Sequence, residues 1–276
     1  MAGERIAVVT GASSGIGEAI ARELSRTGWH CVLLARRADA LERIAGEIDG
    51  EWEVCDVADR GQVDEVAVRV LERHPTIGLL VNNAGIPARG SFLEIDPELV
   101  ERVTAVNYLG GIWCLRAFAP GLRAAAPRAH VVNLVSVSGT VAFAPAGAYA
   151  ASKHAQLAFS RSVAALLRPD GIQVHTILPG FAETEGFPQR ATLRSGLLRR
   201  YVIEAEDVAK AVVEAVQKGK GEVTVPWFPY RFASIGQALV PGLFSRLVTR
   251  RAGEHRGECP GYPPGLRETY QPTSMS

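Results

Sequence analysis

Cysteine is scarce in this chain of 276 residues: there are four, Cys31, Cys55, Cys114 and Cys259, far apart and with no C-x-x-C pair. That spacing argues against a cysteine-held zinc site and against a disulfide scaffold, so no metal is expected. Cys31, Cys55 and Cys114 fall within strand or helix patterns and read as small buried hydrophobes in a reducing compartment, the cytoplasm. A surplus of charge is also missing. Lys and Arg total 30, Asp and Glu total 29, and the net charge is +1. No basic field marks a nucleic-acid partner. No apolar run reaches the roughly 18 residues of a membrane span. The first apolar run is broken by glycines within a few residues, so no secretion signal is expected. No internal repeat or low-complexity tract stands out. What remains is 47% hydrophobic and 21% charged, an ordinary globular mixture. By length the chain could hold one or two domains, and α/β layers of this size often form one.

Short apolar runs alternate with longer amphipathic stretches. Strands are predicted at Arg5–Thr10, Cys31–Ala35, Glu51–Cys55, Ile77–Val81, His130–Val135, Ile172–Leu178 and Glu222–Val225. Helices are predicted at Gly15–Thr27, Asp39–Ile48, Gln62–Arg73, Asp96–Ala125, Tyr149–Leu167 and Ala205–Gln217. Asp96 suits an N-cap, with Pro97 in the first helical position. Strands that are apolar throughout imply burial on both faces, hence a parallel sheet between two helical layers. The expected fold is therefore α/β: a Rossmann-like, doubly wound, seven-stranded parallel sheet. Ligands in such sheets bind beyond the carboxyl ends of the strands, so the residues just after each strand matter most.

After the first strand comes Thr10-Gly11-Ala12-Ser13-Ser14-Gly15-Ile16-Gly17. Its glycines permit a tight turn and close approach of a pyrophosphate to a helix N-terminus. The alternative is a tight turn without a ligand. No carboxylate lies between Leu33 and Ala38, where an acid would take the 2′-hydroxyl of NAD. Arg36 is therefore the candidate for the 2′-phosphate of NADP, with Arg37 and Ser14 assisting. The alternative is a pair of solvated loop arginines. Asp56, after the third strand, either accepts from an adenine amino group or caps its loop. Asn82 and Asn83 either bind ribose or tie neighbouring strands together. Tyr149 and Lys153, four apart, share a helix face. An ammonium beside a phenol lowers the phenol's pKa and suits it to acid–base work near neutrality. Alone, the pair could equally be an interfacial tyrosine and a solvated lysine. His154 points to a different helical face from Tyr149.

Together these residues resemble the short-chain dehydrogenase/reductase family of the classical type. The resemblance rests on Thr10-Gly11-x-x-x-Gly15-x-Gly17, Asp56-Val57, Asn82-Asn83-Ala84-Gly85, Asn107, Ser136, Tyr149-x-x-x-Lys153 and Pro179-Gly180, in the family's order and spacing from about Arg5 to Pro226. It implies an NADP(H)-dependent oxidoreductase that interconverts a carbonyl and an alcohol. Tyr149 would exchange the proton, Lys153 would tune Tyr149 and bind the nicotinamide ribose, and Ser136 would bind the substrate oxygen. Asn107 would hold a relay water; Ser138 is a less favoured alternative to Ser136. Cofactor contacts are implied for Gly11, Ser13, Ser14, Gly15, Ile16, Gly17, Val57, Asn83, Ala84, Gly85, Pro179, Gly180 and Thr184. The family's oligomers imply a homodimer or homotetramer through the helices carrying Asn107 and Tyr149.

The region of the family's mobile substrate loop, Phe181–Tyr201, carries Phe187, Leu193, Leu197 and Leu198. These suggest a nonpolar substrate: a lipid ketone, steroid, 3-oxoacyl thioester or hydrophobic aldehyde. A packed helix pair is the alternative for that segment. The rival functions are a polyol or sugar dehydrogenase and a catalytically silent cofactor-binding regulator. Residues 1–226 read as the dinucleotide-binding and catalytic domain, and 227–276 as a C-terminal helical extension. The extension's apolar stripe (Ile235, Leu239, Val240, Leu243, Phe244, Leu247, Val248) needs cover. Packing on the same domain or on a partner subunit is favoured over peripheral membrane contact, which Arg231, Arg246, Arg250 and Arg251 keep in view.

Overall fold

A computed structural model describes residues 5–88, 90, 94–142, 146–184 and 200–242. Seven parallel strands form its centre: β1 (Ile6–Thr10), β2 (His30–Ala35), β3 (Glu51–Val54), β4 (Leu79–Asn82), β5 (Ala129–Leu134), β6 (Ile172–Pro179) and β9 (Glu222–Val225), in the order β3-β2-β1-β4-β5-β6-β9. The strand order reverses at β1, so a crevice opens between the turns after β1 and β4.

Alternation along each strand divides the core in two. Ala7, Val9, Leu33, Leu79, Val132 and Ile177 face helices α1 (Gly15–Arg26), α2 (Ala38–Ile48) and α7 (Ala205–Lys218). Ile6, Val8, Val32, Leu34, Leu80 and Val131 face α3 (Arg60–Arg73), α5 (Gly110–Ala125) and α6 (Gly147–Leu167). Each large side chain so buried contributes about 1.5–3 kcal/mol. Cys31, Cys55 and Cys114 are buried free thiols. Burial pushes Cys31 and Cys55 up to about 12 and raises Cys114 further, so all three behave as hydrophobes.

Three features depart from the sequence expectation. The stretch 96–125 is two helices: α4 (Pro97–Thr104) and α5 are joined by a π turn over Ala105–Leu109. The Asp96 carboxylate does cap α4, accepting from Glu98 N–H at 3.0 Å. Second, β3 is not buried on both faces. It is one edge of the sheet, with Trp52 and Val54 turned to solvent, and β9 at the other edge is likewise only partly buried. Glu51 and Glu53 on this strand pair with Arg73 and Arg69. Third, a short parallel pair, β7 (Ala182–Glu183) and β8 (Ile203–Glu204), follows β6. Helix α8 (Tyr230–Leu239) begins the C-terminal stripe: Tyr230 is buried, but Phe232, Ile235, Leu239 and Val240 are exposed. Leu243, Phe244, Leu247 and Val248, like Cys259 and Phe187–Leu198, lie outside the described residues.

Candidate active site

The glycine-rich turn is built to exclude side chains. Gly11 and Gly15 hold φ of +65° and +58°, a region that costs other residues strain. A Cβ on Gly17 would come within 2.2 Å of the Gly11 carbonyl oxygen and 2.5 Å of Asn83 Nδ2. Thr10 and Asn83 fasten this turn to the one after β4. Asn83 N–H and Ala84 N–H donate to Thr10 Oγ1 at 3.0 and 3.1 Å. The Asn83 side-chain amide donates to the carbonyls of Thr10 and Gly11 at 2.9 and 3.2 Å. The strand-tying alternative therefore accounts for the Asn83 side chain. Asn82 does likewise, donating to Asn133 Oδ1 at 2.9 Å.

Helix α1 starts at this turn, and the Ser14 side chain makes no cap to its first amides. Those N–H groups form an anion cradle. Arg37 stands over it, donating to the Ser13 carbonyl at 3.1 Å and to Ser13 Oγ at 3.3 Å. Arg36 is exposed and makes no ion pair among the described residues. Thr184, just after β7, lies across the same turn: a Cβ on Gly15 would be 3.2 Å from its side chain. Ile16 packs partly against the first core half.

Asp56 is bonded both within its loop and across to α4. One carboxylate oxygen accepts from Ala58 N–H at 3.0 Å and the other pairs with Arg102. Buried Val57 leaves room only for glycine at position 110 of α5.

The second group gathers where β4 and β5 end against α6. Asn107 is 1% exposed and sits in the π turn. Its Oδ1 accepts from Ile86 N–H at 2.8 Å, and its Nδ2 donates to the Ile86 carbonyl and to Ser152 Oγ, each at 3.1 Å. These bonds explain the local widening of the helix: the side chain holds the segment after β4 as a strand neighbour would. Such π insertions often mark functional sites. Gly85 lies between Asn107 and Lys153, since a Cβ there would be 3.4 Å from Asn107 Oδ1 and 3.7 Å from Lys153 Nζ.

Lys153 is 3% exposed, and its Nζ lies 5.8 Å from the Tyr149 ring centre. Burial pushes its ammonium down to about 7. Two acceptors oppose that loss of charge: the Leu134 carbonyl at 2.9 Å and Gln156 Oε1 at 2.8 Å. Gln156, itself 3% exposed, escaped the sequence reading. The available signal was its i+3 spacing from Lys153 on the buried face. Ser136, nearly buried at the end of β5, accepts from Ser138 N–H at 3.1 Å and so begins a short 3-10 turn. His154 is turned away, and its Nδ1 bonds the Ala150 carbonyl at 2.8 Å.

Pro179 and Gly180 close the rim. Gly180 N–H donates to the Val225 carbonyl at 2.7 Å, and the Tyr230 ring fills the space a Cβ would need. The Tyr230 hydroxyl accepts from Phe181 N–H at 3.4 Å and donates to the Tyr201 carbonyl at 3.3 Å. The structure thus brings the glycine-rich turn, Arg36 and Arg37, and the Asn107–Ser136–Tyr149–Lys153 group to the carboxyl ends of the strands.

Comparison with known proteins agrees with this arrangement. The short chain dehydrogenase family model matches residues 5–193. Dehydrogenase/reductase SDR family member 7B of Mus musculus is 31% identical over 91% of this chain and 82% of its own length. The 1-deoxy-11-beta-hydroxypentalenate dehydrogenase of Streptomyces exfoliatus is 36% identical over 77% of this chain and 79% of its own. Among solved structures, an alcohol dehydrogenase from the archaeon Thermococcus sibiricus, complexed with 5-hydroxy-NADP, superposes with a TM-score of 0.71. It is 28% identical, over 80% of this chain and 96% of that one. A matching family model across most of the chain, relatives over nearly its full length and the same seven-stranded parallel sheet lead to one assignment: the chain belongs to the short-chain dehydrogenase/reductase family, of the classical type.

Proposed function

We propose that the protein interconverts a carbonyl and an alcohol with NADP(H) as cofactor, and that its substrate is nonpolar. The observation that carries the reading is a fully buried lysine ammonium one helical turn from Tyr149, beside Asn107 and at the carboxyl end of β5. An ammonium held at such depth by two neutral acceptors, with no carboxylate partner, is costly, and such groups cluster at reaction sites.

The turn after β1 fits a dinucleotide, because side chains are excluded from Gly11, Gly15 and Gly17 and the first amides of α1 lack a side-chain cap. When bound, the cofactor supplies or accepts the hydride. The chain does the rest. Arg36 and Arg37, in a stretch without a carboxylate from Leu33 to Ala38, offer two guanidinium groups to a 2′-phosphate. Lys153 Nζ has three protons; two are held by Leu134 and Gln156, and the third is left for a ribose hydroxyl. Its charge favours the Tyr149 phenolate. Tyr149 gives a proton to the carbonyl oxygen in reduction and takes one from the alcohol in oxidation. Ser136 orients that oxygen, and Asn107 fixes the segment carrying Gly85 against Lys153.

A nonpolar substrate is supported by the rim. Helix α8 is joined to the turn after Ser136 through Thr140 to Ser234 at 2.7 Å and Ala142 N–H to Gln237 Oε1 at 3.1 Å. The same helix exposes Phe232, which packs edge-on against Trp227 and Phe228, and Ile235. The Streptomyces exfoliatus relative is, by its name, a dehydrogenase of 1-deoxy-11-beta-hydroxypentalenate. We place the catalytic unit in residues 1–226, the extension in 227–276 packed on that unit or on a second subunit, and the protein in the cytoplasm as a homodimer or homotetramer. No helix among the described residues is long and apolar enough to cross a membrane. The test is NADPH oxidation against paired ketones and aldehydes of rising hydrophobicity beside sugars. Turnover that climbs with apolar size is expected. Turnover confined to sugars overturns the substrate class, and tight NADPH binding without any turnover overturns the reaction.

A further inference from the structure

We propose a second site, for a divalent transition-metal ion of the zinc class, at the opposite end of the sheet and built from His30, Glu51 and His74. His30 opens β2, Glu51 opens the edge strand β3, and His74 ends α3. Three separate elements thus deliver one ligand each to a point that no local sequence pattern marks. Both imidazoles aim Nε2 at the same carboxylate oxygen: His74 lies 2.8 Å and His30 3.4 Å from Glu51 Oε1. The three ligand atoms all fall within 4.8 Å of one another. A tetrahedral ion bound at about 2.0–2.2 Å places its ligands roughly 3.3–3.5 Å apart. The site therefore closes on an ion by small side-chain rotations, with no backbone movement.

The surroundings favour an ion over a plain acid–imidazole contact. Arg73 Nε donates to Glu51 Oε2 at 2.8 Å and is held in turn by Glu53 at 3.0 Å. That bond fixes the carboxylate and leaves Oε1 as its ligand atom, the outer-shell support that metal-binding carboxylates receive. The rings are tilted by 48° with centres 5.6 Å apart, so their nitrogens converge from two sides rather than stacking. All three residues are half-buried, which leaves the fourth position to water. Two imidazoles and a carboxylate suit zinc, cobalt or nickel and suit calcium or magnesium poorly. The site is remote from the glycine-rich turn and from Tyr149, so the ion clamps the exposed edge strand to β2 and α3 and takes no part in the reaction.

The experiment is calorimetric titration of the full-length chain, freed of any histidine tag, with zinc chloride, alongside thermal unfolding. One ion per chain should bind, and a hundredfold excess over Kd should raise Tm by about 5 °C. His30→Gln and His74→Gln should each weaken binding at least about tenfold and remove the Tm rise. The variant His130→Gln, at a histidine whose ring stacks 5.2 Å from that of His175, should bind as the parent does. Steady-state NADPH turnover should be the same with and without zinc. The proposal is overturned if the parent takes up no zinc, if the His74 variant binds as tightly as the parent, or if the His130 variant alone loses the ion. Should His30→Gln or His74→Gln melt early without metal, the binding heat of the parent and its Tm rise still decide.

Discussion

The two ends of the sheet handle polar side chains differently. At the carboxyl ends, Thr10, Asn83, Asn107, Lys153 and Gln156 are bonded to backbone groups or to one another. Towards the amino ends lie four histidines: His30 and His74 on Glu51, and His130 stacked 5.2 Å from His175. Groups anchored to backbone keep their orientation whatever the solution does. Imidazoles can hold a proton, a metal ion or one another. The first end is built to act on a bound molecule, and the second bears on the stability of the fold. Substitutions at the first should therefore move rates, and substitutions at the second should move stability.

The largest expected effect is at Tyr149. Tyr149→Phe should lower kcat by about 10³-fold, within the range for lost acid–base catalysis, while the dissociation constant for NADPH stays within about twofold. Stopped-flow hydride transfer and fluorescence titration separate the two. Unchanged turnover would falsify the acid role. Gln156→Leu comes next, because it removes an acceptor from a buried ammonium. Lys153 should then lose charge more readily and Tyr149 ionise less readily. The pKa governing kcat/KM for alcohol oxidation should rise by about one unit, with a rate loss of about tenfold near pH 7. Gln156→Glu pairs the ammonium with an anion that cancels its field at Tyr149, and should raise that pKa as well. A pH profile that shifts in neither variant breaks the link between Gln156 and the reaction.

The legible parts were those that local pattern controls. Five strands buried along their length and the glycine-rich turn stand out because apolar runs and small residues report burial and close approach directly. Tyr149 and Lys153 were legible because one helical turn converts spacing into proximity. What was hidden depends on partners far away in sequence. The π turn at Ala105–Leu109 exists because Asn107 bonds Ile86, 21 residues earlier, and helical periodicity carries no trace of that bond. The exposure of β3 follows from strand order, which composition does not report. Gln156 looks like any surface amide until Lys153 needs an acceptor, and His30, Glu51 and His74 are neighbours only after β2, β3 and α3 assemble.

A smaller effect is expected from the guanidinium groups over the cradle. Both are exposed, and solvent weakens each contact. Arg36→Ala should raise KM for NADPH about tenfold, roughly 1.4 kcal/mol, and leave KM for NADH unchanged. Arg37→Ala should do less to selectivity and more to both cofactors, because Arg37 also holds Ser13. Equal losses with both cofactors in the Arg36 variant would remove the 2′-phosphate contact. The comparison between the ends of the sheet would survive, since the anchored groups around Lys153 do not depend on which cofactor is used.

The effect expected at the amino end is on stability and leaves the rate untouched. His175 Nδ1–H donates to the Lys220 carbonyl at 2.7 Å, so in the neutral pair His175 Nε2 accepts from His130 Nδ1–H at 3.0 Å. Protonating His175 would set two N–H groups face to face. Burial, with the neighbouring His175 adding to it, pushes His130 down to about 4, and burial lowers His175 as well. In the unfolded chain both titrate near 6.5. Below that pH the unfolded state binds protons that the folded state refuses, so stability is full above about 6.5 and falls as pH drops towards 4. His130 is only partly buried, and solvent screening reduces the effect to about 1–2 kcal/mol. Urea unfolding should show that loss between pH 7 and 4.5. In His130→Gln the part of the slope due to His130 should disappear and that due to His175 remain, while the pH profile of turnover per folded molecule stays as in the parent. A flattened stability curve with an altered turnover profile would mean that the two ends are coupled through β5, and the division of labour between them would fail.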